Sequence, residues 1–181
     1  MRIINKLILI LVITLLTFSA KAACKFELKF GDDASKVENK YGPPARLLFD
    51  DISFIPVAAD EVCPNQRLKD IAIEYRFFKN KLSAINLVAL NDENNSVSDK
   101  LTLMKYAKRV YGNFDTGSNP KLFIGYKVFE KQNNFVVYQK VKAADNTFDE
   151  QIYISTKEHD KLLIEYYNKM EEQQAQEMDN N

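Results

Sequence analysis

Between Ile71 and Leu90 the apolar pattern spells out a hairpin. Ile71, Ile73, Tyr75 and Phe77 alternate with Ala72, Glu74, Arg76 and Phe78. That is the two-residue period of a strand with one face buried. Lys79-Asn80-Lys81 is a short polar turn, and Leu82 to Leu90 returns with apolar residues on both of its faces. A strand apolar on both faces belongs inside a sheet rather than at its margin. Any fold for this chain must therefore contain an antiparallel pair with neighbours on the far side of Leu82 to Leu90.

Further strands are read toward the C-terminus. Leu122 to Glu130, Phe135 to Lys142 and Phe148 to Ser155 are rich in isoleucine, valine, tyrosine and phenylalanine, as strands favour. Gln132-Asn133-Asn134 and Asp145-Asn146 join them into a meander. A helix from about Ser98 to Tyr111 precedes this meander, with Leu103, Ala107 and Val110 on one stripe. Ser96 followed by Asp99 resembles a capping box at its start. A second helix, Lys157 to Gln174, follows, capped by Ser155 or Thr156, with Leu162, Leu163, Tyr166 and Met170 as its stripe.

Upstream, Phe26, Leu28 and Phe30 alternate as in a half-buried strand. Gly31 to Pro44 then reads as a turn, a short helix and a stop. Asp32 or Asp33 can cap the helix, and Val37 and Tyr41 share a face four residues apart. Gly42 can take the left-handed conformation that ends a helix, and Pro43-Pro44 prevent its continuation. A weaker echo ends at Val110-Tyr111-Gly112. The segment from Pro43 to Asn65 reads as a long connection. Arg46 to Phe49 and Ser53 to Val57 are candidate short strands within it, the second demoted to an edge by Pro56.

The fold expected is α+β: an antiparallel sheet with helices packed on one face, built as two degenerate helix-plus-hairpin repeats. The parts are a leader over 1–22, an N-terminal half over 23–95, a C-terminal half over 96–174 and a disordered tail over 175–181. Asn91 to Asn95 mark the boundary between the halves.

The leader is recognised by a basic start (Arg2, Lys6), an apolar run from Leu7 to Phe18, and small residues at Ala20 and Ala22. That run is shorter than the roughly 20 apolar residues of a membrane span. Cleavage after Ala22 and a periplasmic destination are the expectation. Lys21 sits three residues before Cys24, where a lipid-attachment box requires an apolar residue, so membrane association is not indicated after cleavage. Cys24 and Cys63 are the only cysteines, and in an oxidising compartment such a pair is expected to bond. The whole chain carries 25 basic and 25 acidic residues. Removing Arg2, Lys6 and Lys21 leaves 22 against 25, which provides no electrostatic footprint for nucleic acid.

Chemistry-bearing patterns are few. His159, the single histidine, begins a helix and has no nucleophile-elbow serine to serve. Asp32-Asp33, Asp50-Asp51 and Asp92-Glu93 lack the alternating spacing of a calcium loop. Five glycines form no phosphate-cradling loop, so no cofactor is called and no catalytic residue is assigned. The candidate partner patch is Phe54, Ile55 and Val57, if these side chains are exposed.

Gly31, Val37, Tyr41, Gly42 and Pro44 have the spacing seen in outer-membrane assembly lipoproteins of the SmpA/OmlA type. The stretch also resembles the helix-to-strand unit of the β-lactamase-inhibitor-protein fold, whose tandem arrangement is the nearer likeness. The resemblance implies a non-catalytic module that binds a protein of the cell envelope. The leading expectation is thus an exported periplasmic binding or accessory protein. A periplasmic hydrolase without a sequence-visible motif and a carrier of a small ligand or lipid are the alternatives.

Overall fold

The computed structural model describes residues 23–90, 101–131, 133–144 and 147–179. The leader, the boundary at Asn91 to Asn95, the Ser96 and Asp99 box and the Asp145-Asn146 turn lie outside the described residues. In chain order the elements are α1 (Ala34–Tyr41), β1 (Arg46–Phe49), β2 (Ile52–Ala58), α2 (Ala59–Val62), β3 (Ile71–Phe78), β4 (Lys81–Ala89), α3 (Thr102–Val110), a 3-10 turn (Pro120–Leu122), β5 (Gly125–Lys131), β6 (Asn134–Lys142), β7 (Phe148–Thr156) and α4 (Lys157–Asp179).

The seven strands form one antiparallel sheet in the order β1-β2-β3-β4-β7-β6-β5, so the fold is α+β. The β3–β4 hairpin turns on Lys79 and Asn80, both at positive φ, as a two-residue turn matched to strand twist requires. β4 is central. It pairs with β3 on one side and β7 on the other, and the pairs Ile85 with Ile154 and Leu87 with Ile152 weld the two halves together. Four strands and α2 follow α1, whereas three strands follow α3, so the halves share an order of elements without matching one for one.

Period two decides which residues enter the core. On one face Ile55, Ile73, Tyr75, Phe77, Ile85, Leu87, Tyr138 and Ile152 are buried together with Val37 of α1, Ala59 of α2 and Leu103 and Ala107 of α3. The opposite face carries a smaller cluster of Ile52, Ala84 and Leu163, with Phe78, Tyr153, Tyr166 and Tyr167 packed on it. The single layer of helices expected from the sequence therefore holds for α1, α2 and α3, while α4 lies on the other face. This is why β4 is apolar on both sides: the sheet is covered twice there.

Three other expectations are corrected. Lys25 to Phe30 forms no strand. Phe26, Leu28 and Phe30 do pack against the core, but the segment lies over it without a ladder, its Lys29 N–H donating to Asp32 Oδ2 at 2.9 Å. Alternation there records one-sided burial, not pairing. In the connection from Pro43 to Asn65 both candidate strands form, as β1 and β2, and α2 follows them, so the long irregular loop expected around them is absent. Pro56 is tolerated inside the sheet because β1 reaches only as far as Phe54, leaving no outer neighbour that needs its N–H. The expected disordered tail is helical to Asp179, since Glu, Gln and Ala are strong helix formers that need no apolar stripe.

The Gly31 to Pro44 unit attaches α1 to the sheet. Gly31 takes φ +88° and donates its N–H to the Leu82 carbonyl at 2.8 Å. Val37 is fully buried, and Tyr41 stacks on Tyr75 with centroids 6.0 Å apart. Gly42 at φ +89° closes the helix on the Glu38 carbonyl, and the exposed Pro44 lies just beyond it. Asp33 occupies the N-cap position without a side-chain cap bond; its carboxylate holds Lys81 at 2.8 Å instead.

Candidate functional site

An open groove of about 680 Å³ lies beside the Cys63 loop. The end of β2 and the start of β3 provide its floor through Pro56, Val57, Ile71 and Ala72. Leu68 and Leu90 complete the apolar lining, and Asp60, Arg67, Lys69 and Asp70 stand around it. Val57, Leu68 and Ile71 of this lining are buried in the core, while Leu90 keeps about half its surface exposed at the rim.

Local chemistry fixes the loop that walls this groove. Cys24 and Cys63 form a disulfide with Cα atoms 5.4 Å apart, both buried. The Cys24 N–H donates to the Tyr106 hydroxyl at 2.9 Å, which ties the N-terminal segment to α3 as well. Cys63 closes α2 by donating to the Ala59 carbonyl, and Gln66 turns back on the Cys63 carbonyl at 3.0 Å. The Arg109 guanidinium donates to Gln66 Oε1 at 2.9 Å, and Leu68 plugs into the core. The Leu90 N–H donates to the Asp70 carbonyl at 2.9 Å. Arg67 and Asp70 both take positive φ, near +57°, a conformation side-chain-bearing residues rarely adopt. Such strain persists only where surrounding contacts over-determine it, as these do.

The proposed patch of Phe54, Ile55 and Val57 does not form. Successive residues of a strand point to opposite faces, so Ile55 and Val57 turn inward while Phe54 turns to the other side, half-buried. Only Val57 reaches the groove, from beneath. A second groove of about 500 Å³ runs between α4 and the strand turns, lined by Asp50, Asp51, Lys79, Glu165, Tyr166 and Lys169 among others. His159 belongs to the α4 cap: its N–H donates to Thr156 Oγ1 at 3.2 Å and its ring lies 5.8 Å from Phe30. Among the described residues, no three His, Cys, Asp or Glu side chains converge as metal ligands, and no helix is long and apolar enough to cross a membrane.

One ionisable cluster escaped the sequence reading. Glu150 of β7, only 1% exposed, accepts from the Met104 N–H at 2.8 Å, the Tyr138 hydroxyl at 3.0 Å and the Leu103 N–H at 3.4 Å. It is a tertiary cap for α3, whose own N-cap residue, Leu101, has nothing to offer. Its cross-strand neighbour Lys140 is equally buried, donates to the Lys121 carbonyl at 2.8 Å and sits over the Phe148 ring. Burial pushes the Glu150 carboxyl above its ordinary range and pulls the Lys140 ammonium below its own. Parity was the available signal: Glu150 shares its strand face with Phe148, Ile152 and Ile154, and Lys140 with Val136 and Tyr138. The cluster is sealed from solvent, so it holds the fold and does not meet a substrate.

Comparison with family models, with curated proteins and with solved structures yields no match.

Proposed function

We propose that the chain is an exported, non-catalytic binding or accessory protein of the bacterial cell envelope, working in the periplasm after cleavage behind Ala22. The observation that carries this reading is the open apolar groove beside Cys63, whose wall is held rigid by a disulfide and by contacts from three sides. A preformed apolar groove with charged margins suits docking of a partner protein, because little ordering entropy remains to be lost on binding. The disulfide is compatible with an oxidising compartment. The likeness of Gly31, Val37, Tyr41, Gly42 and Pro44 to envelope assembly lipoproteins and to the tandem inhibitor fold points the same way. A carrier of lipid or a small ligand is favoured less, since Tyr75, Tyr106, Tyr138 and Phe77 fill the interior where such a cargo would sit.

Photocrosslinking tests the proposal. A photoreactive residue at Leu90 in the otherwise complete chain, activated in envelope extract, is expected to give a discrete protein adduct. The same residue at the exposed, distant Ser35 is expected to give none. Identical adducts from both sites, or none from Leu90 under mild conditions, would sink the docking reading. Mass spectrometry without reductant checks the compartment: the mature chain should begin at Ala23 and carry no free thiol.

A further inference from the structure

The sheet has two margins, and they are built differently. β1 is four residues long and its pairing with β2 is broken by a register shift between Leu47 and Phe49. Short, bulged margins are protected against strand addition. β5 is seven residues long, pairs with β6 in unbroken register from Gly125 to Lys131, and ends the sheet. Its outer row of backbone groups therefore faces no further strand among the described residues.

Side chains along β5 divide by parity into a row of Tyr126, Val128 and Glu130 and a row of Lys127, Phe129 and Lys131. Ile124, just before the strand, and Tyr126 and Val128 within it are 56%, 72% and 43% exposed. Tyr126 and Val128 share the face of Val137, which lies opposite Val128 on β6, and the exposed Glu130 ends that row. This is the face that α4 covers, but α4 packs on β4 and β7 and stops short of this margin. On the alternate face Lys127 and Lys131 flank Phe129, both exposed.

We propose that the outer margin of β5 is a strand-addition site for an extended segment of a partner protein in which apolar and acidic residues alternate. The alternation follows from the pleat. A strand laid against β5 must place every second side chain beside Tyr126 and Val128, with Glu130 closing that row, and the intervening ones beside Lys127 and Lys131, which flank the buried Phe129. Backbone hydrogen bonds supply affinity in this mode, and the alternate side chains supply selectivity. A second copy of the chain is the poorer occupant. Two β5 strands paired antiparallel about Phe129 set Lys127 of one copy against Lys131 of the other, and pairing about Lys127 sets that lysine against itself; pairing about Val128 avoids this but sets Lys127 against Phe129 and Lys131 against Gly125, so no same-face register gives either lysine an acidic neighbour. Like charges directly opposite destabilise a strand pair. This surface is separate from the groove beside Cys63, so either can fail without the other.

The test uses the full chain and fluorescent synthetic peptides of roughly ten residues, read by anisotropy. A peptide alternating valine or tyrosine with glutamate is expected to bind roughly tenfold more tightly than its counterpart with lysine in place of glutamate. Methylating its alternate backbone nitrogens should abolish binding. The double variant Lys127→Glu with Lys131→Glu should reverse the preference, and Tyr126→Ser should weaken both peptides. These positions are exposed, and circular dichroism checks that each variant folds. No binding, equal binding of both peptides, or full binding of the methylated peptide overturns the proposal. So does self-association of the free chain in sedimentation that Lys127→Glu with Lys131→Glu disperses or leaves unchanged.

Discussion

Replacing Glu150 by alanine leaves three buried donors without an acceptor: the N–H groups of Leu103 and Met104 and the hydroxyl of Tyr138. The Leu103 bond is long, so two strong bonds dominate. Each stranded donor costs about 1–3 kcal/mol, and Lys140 also loses its nearest buried countercharge. The expected loss is about 4 kcal/mol, within the range for removing one partner of a buried ionic group. Glu150→Gln separates shape from charge. Its amide oxygen can still accept from Met104 and Tyr138 while its NH₂ faces the Leu103 N–H, so the loss should be about 1–2 kcal/mol. Equilibrium urea unfolding reads both as shifts of midpoint at constant slope. The pH dependence adds a signed check. The folded carboxyl titrates above its unfolded value of 4.5, so the native state holds a proton that the unfolded chain releases. Stability relative to Glu150→Gln should therefore rise as pH falls through the folded value, and level off below the unfolded one. Lys140, displaced downward, acts in the alkaline window with the opposite sense: stability rises with pH between its folded and unfolded values. An alanine variant within about 1 kcal/mol of the parent, or a glutamine variant as damaged as alanine, would refute the capping role.

Other perturbations isolate other parts of the argument. Cys63→Ser with Cys24→Ser opens a link spanning 39 positions, and on the chain-entropy model should lower unfolding free energy by about 4 kcal/mol, measured by the same urea titration. Lys79→Gly relieves a left-handed residue in the β3–β4 turn and should raise thermal stability by about 1 kcal/mol. The Tyr75 hydroxyl is buried beside the Tyr41 side chain but makes no well-formed hydrogen bond among the described residues, so Tyr75→Phe should be close to neutral in calorimetry. Tyr138→Phe, by contrast, removes a donor from Glu150 and should cost about 1–2 kcal/mol.

Much of the sheet was legible because strand periodicity is local. Ile71 to Leu90 declares its own turn, its own buried face and its own central position. The helix ends at Gly42 and the Thr156 cap of α4 were legible for the same reason: the groups that stop or start a helix are adjacent in sequence. The start of α3 is read from Ser96 and Asp99, which lie outside the described residues, and the cap found among the described ones is Glu150, 46 positions away from Met104 and without a local signal. Lys25 to Phe30 shows the converse. Its alternation is real, but alternation records one wet side and one dry side, and a segment lying over helices satisfies that as well as a strand does.

The candidate sites fell outside the reading for a related reason. Parity identifies which residues share a face; it does not identify which face the rest of the chain will cover. Ile55 and Val57 of β2 and Tyr126 and Val128 of β5 are alike as sequence. The first pair lies under the layer of α1, α2 and α3 and is lost to the core, whereas the second lies where α4 has already ended. The sheet order decides between them by placing β4 and β7 at the centre and β5 at the margin. One helix, covering its strongest contacts on the central strands, leaves the far margin open. An exposed apolar stripe beside an unpaired strand is a hazard that selection usually removes. Here the lysines on the other face disfavour the self-paired registers that oppose them and leave the backbone open, which is what the proposed addition of an acidic strand requires.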